Sequence, residues 1–284
     1  MRWLNLIGSV QSTELHFVSR PGIKARIHTI LGHVTRRVGN RIRPPVWIFK
    51  FLNRAKDQFE CPLCNYKGPF MDLNGFAGFR RHARCPKCQS LERHRLQYLA
   101  VRDLLESMKP FEMKMLHVAP EPFLRQLFSR RFGEYETADL LMRGVDHKVD
   151  LQNLPFEDAT YDFVFASHVL EHIPDDKRAI REIRRIIKPR GVAILPVPVV
   201  CEKTIEYPQP NPDEAYHVRA PGFDYFDRYG EYFSRVALHT SDSFPERYQL
   251  FIYEDRSAWP TLECPLRPPM PGERHADVVP ICYV

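Results

Sequence analysis

Between residues 114 and 200, short apolar runs alternate with amphipathic helical stretches. That alternation restricts the chain to a largely parallel sheet with helices on both faces. "KMLHVA" is a short buried strand, and "PFLRQLFSRRFG" follows as a helix that stops at Gly133. "YETADL" and "HKVDL" are further short strands, while "YDFVFAS" and "VAILPVPV" are apolar almost throughout. Between these last two lies "DDKRAIREIRRIIK", with Ile180, Ile183, Ile186 and Ile187 on one helical face and Pro189 and Gly191 closing it. Beyond residue 200 the periodicity weakens, although "YQLFIYE" still reads as a strand. Six prolines fall in 257–284, which is expected to be an irregular tail.

Upstream of the alternation, Cys61-x2-Cys64 and Cys85-x2-Cys88 are two C-P-x-C turns separated by twenty residues. Two-residue gaps let four sulfurs converge on one ion in a tetrahedron, the pattern of a structural zinc ribbon with no open coordination position. His82 and His94 are the nearby alternative ligands, and a redox C-x-x-C is the competing reading for either pair alone. Ser90 is placed to cap a helix "LERHRLQYLAVRDLLESM" that links the ribbon to the sheet.

The net charge of +6 is unevenly distributed, since residues 1–108 carry 19 Lys/Arg against 7 Asp/Glu. Ile23, Ile27, Ile30, Leu31, Val34 and Val38 have helical spacing in a basic arm, 1–57, which continues after two prolines as "VWIFKFLNRAK". Such an arm can lie on a membrane surface or pack on the protein's own body. No run of 18 apolar residues exists, and the N-terminus makes a poor signal peptide. A cytoplasmic protein is expected, and the basic arm gives it a means of peripheral contact at the inner membrane surface.

The turn after "KMLHV" contains no glycine, so it is a poor cradle for a pyrophosphate. A phosphate-free adenosyl cofactor relaxes that requirement. Ala119 is small, Pro120 stiffens the turn, and the Glu121 carboxylate can meet an ammonium group. Asp139 ends the second strand, where a carboxylate can accept both ribose hydroxyls, and Asp150 follows the third, placed for an adenine amino group. A turn or capping role is the alternative for both acids.

The stretch "VDLQNLPFEDATYDFVFASHVLEHIPDDKRAIREIRRIIKPRGVAILPVPV" resembles the central block of class I S-adenosylmethionine-dependent methyltransferases. It is similar to the type 11 branch, whose signature reads D-x-x-x-L-P-F, a Y/F-D-x-V strand, H-V-L-E-H and L/I-K-P-x-G. "CPKCQSLERHR" followed by "LHVAPEP" resembles bacterial members with a cysteine-rich segment, many of which accompany polysaccharide-assembly enzymes. The resemblance implies an α/β, Rossmann-like sheet over 109–256, preceded by a small zinc ribbon over 58–108. It also implies that His117 and Ala119 occupy the first cofactor motif, Asp139 the ribose position, and Asp150 with Leu151 the adenine position. Ser167 and His168 would lie against the methionine end, and Glu171 and His172 complete the H-V-L-E-H motif. Two departures stand out: the first motif lacks its glycines, and Arg190 replaces a common glycine in "KPRG".

His168, at the end of a central strand, is the expected general base, with a helix-capping or core histidine as the competing reading. "EAYHVRAPGFDYFDRYGEYF" reads as a substrate-facing insertion. There His217 is a second catalytic candidate, and Arg219 and Asp224, with His172, are candidates for holding sugar hydroxyls or an anionic group. The expected activity is methyl transfer from S-adenosyl-L-methionine to a glycan or lipid-linked saccharide. RNA methylation using the ribbon and arm, and a non-catalytic interaction module, are the alternatives.

Overall fold

The computed structural model describes residues 44–75, 78–262 and 264–284. The helical spacing from Ile23 to Val38 lies outside the described residues. A helix α1 (Val46–Leu52) precedes a hairpin of β1 (Phe59–Glu60) and β2 (Lys67–Gly68) and a second one of β3 (Met71–Gly75) and β4 (Gly78–Arg84). Helix α2 (Glu92–Glu106) then leads into the sheet strand β5 (Lys114–Val118), helix α3 (Pro122–Phe128), and strands β6 (Glu134–Asp139), β7 (His147–Lys148) and β8 (Tyr161–Ala166). Helix α4 (Asp176–Ile186) is followed directly by β9 (Ile187–Ile194). A separate hairpin, β10 (Ile205–Asn211) with β11 (His217–Ala220), precedes β12 (Arg235–Thr240) and β13 (Val278–Tyr283).

The main sheet has seven strands in the order β12-β13-β9-β8-β5-β6-β7. β5, β6, β7, β8 and β9 run parallel, while β13 is antiparallel to both β9 and β12. The chain moves outward from β5 to β7 and returns to β8 on the other side of β5. That reversal opens a crevice at the carboxyl edge between β5 and β8. This is the Rossmann-like α/β sheet expected from the sequence.

The near-continuous apolar strands are explained by burial on both faces. Leu116, Val118 and Val164 contribute to one core, with Ile180, Ile183 and Ile186 of α4. Met115, Phe163 and Phe165 contribute to the other, with Leu96 and Leu99 of α2 and Phe128 of α3. Each fully buried isoleucine of α4 contributes roughly 1.5–3 kcal/mol. Gly191 is required where β9 meets β8, because a Cβ there would come within 2.8 Å of the Asp162 carbonyl. Arg190 before it takes a left-handed φ of +69°, the conformation that the replaced glycine favours.

Three expectations are corrected. The 257–284 segment is not wholly irregular, since β13 lies inside the sheet between β9 and β12. Pro280 disguised it, but pairing to β9 begins only at Ile281, so the missing N–H breaks no bond to that strand. "YQLFIYE" forms no sheet strand and contributes only isolated bridges, Arg81 to Tyr253 and Ile252 to His275. Its strand role is taken by "RVALHT", whose half-exposed edge position weakened the apolar signal. Helix α2 begins at Glu92 with Leu91 as cap. The Ser90 hydroxyl instead approaches the Cys88 sulfur at 3.2 Å, and the His94 ring accepts the Leu91 N–H.

Candidate active site

The ends of four neighbouring strands define a cavity of about 640 Å³. Ala119 follows β5, Asp139 ends β6, Asp150 and Leu151 follow β7, and His168 follows β8; all of them line it, as does His172. The Asp139 carboxylate is oriented by the backbone N–H groups of Leu141 and Met142, both at 2.6 Å. Asp150 accepts the Gln152 N–H at 2.8 Å. Leu140, Leu141 and Tyr216 leave large apolar surfaces exposed at the mouth, Leu141 at 83%. Among the described residues that line the cavity there is no lysine or arginine.

Ala119 reaches its place through a φ of +48°, so the turn keeps a glycine-like backbone without the glycine. Ten non-glycine residues have positive φ among the described residues, and four of them, Ala119, His168, Ala215 and Tyr216, line this one cavity. Backbone strain concentrated in this way is a mark of a site held by its surroundings.

His168 also lines a second cavity, of about 260 Å³, which His217 shares. Its other walls include Arg80 of β4, Arg93 of α2, and Arg256 and Arg267 of the C-terminal segment. Each arginine has a carboxylate partner: Glu92 at 3.1 Å, Glu121 at 2.6 Å, Glu254 at 2.9 Å and Glu214 at 2.8 Å, respectively. The wall is therefore polar and internally neutralised. His168 forms part of both cavities, so whatever occupies one adjoins whatever occupies the other.

Glu171 is 1% exposed beneath three imidazoles. His168 Nδ1 stands 3.5 Å from one of its oxygens, His172 Nε2 stands 4.0 Å away, and the His172 and His217 rings are 4.6 Å apart. Burial opposes ionisation of Glu171, but the contact from His168 and the surrounding imidazoles outweighs it and holds the carboxyl below its usual range. Burial takes His217 down to about 4, against the attraction of Glu171, so its ring is neutral at pH 7.

Five sequence candidates are not brought to either cavity. His117 is 1% exposed, hydrogen-bonded to the Tyr135 hydroxyl at 2.8 Å and wedged against Phe128 and Phe165. Period-2 alternation turns it to the face opposite Val118, so it is a core residue. Glu121 is engaged by Arg93 and by His94 at 3.2 Å, and burial is outweighed by those partners, which hold its carboxyl well below the ordinary range. The Ser167 hydroxyl accepts from Gln97 of α2 at 2.8 Å. Asp224 closes a turn by accepting from Thr204 N–H and hydroxyl, both at 2.7 Å. Arg219, 2% exposed, donates to the carbonyls of Leu170, Ile173 and Pro174 at 2.6, 2.7 and 3.0 Å, and so grips the loop that carries Glu171 and His172.

Sequence reasoning missed Tyr216 and the four arginines of the second cavity, which come from three distant segments with no shared spacing. The signal for Glu171 was present in the H-V-L-E-H motif, but its burial was not.

The four ribbon cysteines converge. Sγ separations are 3.5 Å for Cys61–Cys88 and 3.6 Å for Cys64–Cys85, close to the roughly 3.8 Å edge of a tetrahedron with 2.3 Å bonds. Both turns share one geometry: Asn65 and Gln89 are left-handed and donate back to the Cys61 and Cys85 carbonyls, each at 2.9 Å. The cluster is compatible with zinc. His82 lies instead against Asp57 at 3.5 Å, and His94 against Glu121.

A family model described as "Methyltransferase domain" matches residues 130–195. A sterol 4-C-methyltransferase of Caenorhabditis elegans is 41% identical over 46 residues, 16% of this chain and 14% of its own length. A demethylmenaquinone methyltransferase of Staphylococcus epidermidis is 36% identical over 72 residues, 25% of this chain and 27% of its own. The chain spans less than half the length of these curated relatives. Among solved structures, an S-adenosylmethionine dependent methyltransferase from Mesorhizobium loti superposes with a TM-score of 0.45 at 14% identity, over 66% of this chain and 98% of that one. The family match, at 130–195, falls within the parallel part of the seven-stranded sheet.

Proposed function

We propose that this protein is an S-adenosylmethionine-dependent methyltransferase acting on a glycan or glycolipid intermediate. The observation that carries the reading is the cavity at the sheet's carboxyl edge, walled by two aspartates and, among the described residues, by no lysine or arginine, which adjoins a second polar cavity through His168. Two carboxylates without a lysine, arginine or glycine cradle repel a pyrophosphate and suit a phosphate-free adenosine. Asp139 would hold the ribose hydroxyls, Asp150 and Leu151 the adenine edge, and Ala119 and His168 the methionine end. The exposed faces of Leu140, Leu141 and Tyr216 would be covered. When bound, S-adenosylmethionine supplies an electrophilic methyl group whose bonding pair stays on sulfur.

The chain's own contribution is positional. His168, at the partition, accepts the proton released by the acceptor, and the buried carboxylate of Glu171 stabilises the imidazolium that results. The mixed arginine–carboxylate wall of the second cavity offers donors and acceptors suited to a hydroxyl-rich ring. RNA is a poorer fit, because ribbon cations are engaged internally: Arg80 with Glu92, Arg81 with Glu273, Lys67 with Glu60. We take the cysteine cluster to hold a structural zinc. The α1 face bearing Trp47, Phe51 and Lys50 is assigned to peripheral membrane contact.

Isothermal titration with S-adenosylmethionine tests the core of the reading. Asp139→Ala and Asp150→Ala should each weaken binding at least about tenfold, the loss of a charge-assisted hydrogen bond. No affinity in the parent protein, or unchanged affinity in both variants, ends the enzymatic interpretation. Retention on anionic liposomes rather than on RNA supports the lipid-linked acceptor, and the reverse pattern removes it.

A further inference from the structure

We propose that Glu171, His172 and His217 form a binding site for a divalent transition cation, distinct from the cysteine cluster, which holds an oxygen of the methyl acceptor beside His168. One ligand atom from each of the three residues lies within 4.8 Å of the others. The acceptor's place rests on the methyl-transfer reading; the metal site does not.

A carboxylate as buried as Glu171 needs partners, yet its Oε2 has none. The buried Nδ1 of His217 is also unpartnered. The nearest imidazole nitrogens, at 3.5 and 4.0 Å, are too far to serve Glu171 as good hydrogen bonds. Donor groups that converge without bonding to one another are resolved together by a cation, which accepts a lone pair from each. Tetrahedral ligands at about 2.1 Å from an ion lie roughly 3.4 Å apart, so atoms that now lie within 4.8 Å of one another close by about 1.4 Å at most.

The supporting shell is already rigid. β11 presents His217 and Arg219 with the same parity, and Arg219 grips the three carbonyls that bracket Glu171 and His172. Two of the three ligands are thus held by a buried guanidinium, and the third comes from the strand that supplies it. Two imidazoles and one carboxylate favour zinc or iron(II) over magnesium or calcium. Three protein ligands leave coordination positions open. His172 lines the adenosyl cavity and His217 the second one, so those positions adjoin both. A hydroxyl oxygen bound there is acidified, and His168 remains as its proton acceptor.

Cobalt(II), titrated into the full-length protein carrying one zinc per chain, is the probe. The expected result is one further ion per chain, with ligand-field bands that lack the sulfur-to-metal charge transfer of a thiolate site, and a matching increase in total metal by elemental analysis. His172→Ala should weaken this binding at least tenfold, as should Glu171→Gln. His172 is partly exposed, so its variant is the one expected to fold unaltered, checked by circular dichroism. Absence of the second ion, or cobalt affinity unchanged in His172→Ala, overturns the site. S-adenosylmethionine titration on the same samples separates the two readings. Cofactor binding without cobalt binding leaves the methyltransferase and removes the metal; cobalt binding without cofactor binding does the opposite.

Discussion

Single residues in this fold carry identifiable costs. Ala119, in the turn after β5 that lines the cavity, sits in a left-handed conformation that disfavours any Cβ. Ala119→Gly should raise stability by about 1 kcal/mol, or a melting midpoint increase of roughly 2–4 °C by calorimetry. His117 is neutral in the fold because burial takes it to about 3. Its folded value lies below the usual imidazole value, so its contribution is complete above about pH 6.5 and is lost as pH falls toward 3. Denaturant titrations across that window should show a slope that approaches 1.4 kcal/mol per pH unit and is shallower in His117→Phe. The two aspartates of the cavity were legible from strand-end position alone. The fate of His117 was not, because the motif fixes which residue ends a strand and not which face it presents to a neighbouring helix.

At the scale of elements, α2 does more than link the ribbon to the sheet. Arg95, 0% exposed, donates to the carbonyls of Ala83 and Ser90 on the ribbon side and of Tyr248 and Gln249 in the C-terminal segment. It also lies 4.5 Å from the Phe70 ring centroid. Arg95→Leu removes this donor from all four carbonyls, of which Ser90 keeps the Cys85 N–H at 3.0 Å, and should cost about 3–5 kcal/mol in urea unfolding. A change below 1 kcal/mol would mean that water or rearrangement satisfies them. α4 was readable from its isoleucine spacing, and β8 from its continuous apolar run. β12 and β13 were not, since one is an edge strand with half its faces exposed and the other contains a proline whose tolerance depends on register.

Across the whole molecule, ribbon and sheet share one compact unit from Val46 to Val284, and the second cavity takes Arg80 from the ribbon. Removing metal from the cysteine cluster should therefore reach the acceptor side of the site. Stripping with a thiol-compatible chelator should lower the melting midpoint by about 10 °C or more and expose residues 58–90 to limited proteolysis. A ribbon that stays protease-resistant after verified metal loss would show that hydrogen bonds through Arg95 suffice to hold it. The alternation of strands and helices made the sheet foreseeable. The joint construction of the second cavity by three remote segments depends on tertiary closure, which leaves no periodicity to read.

The placement of β13 between β9 and β12 has a consequence for the nascent chain. β12 does not pair with β9; among the described residues its only sheet partner is β13, and residues 241–277 must be translated before that partner exists. While the ribosome passes through this interval, an apolar edge of β9 and the whole of β12 stand unmatched, a window in which chaperones compete with aggregation for the half-built sheet.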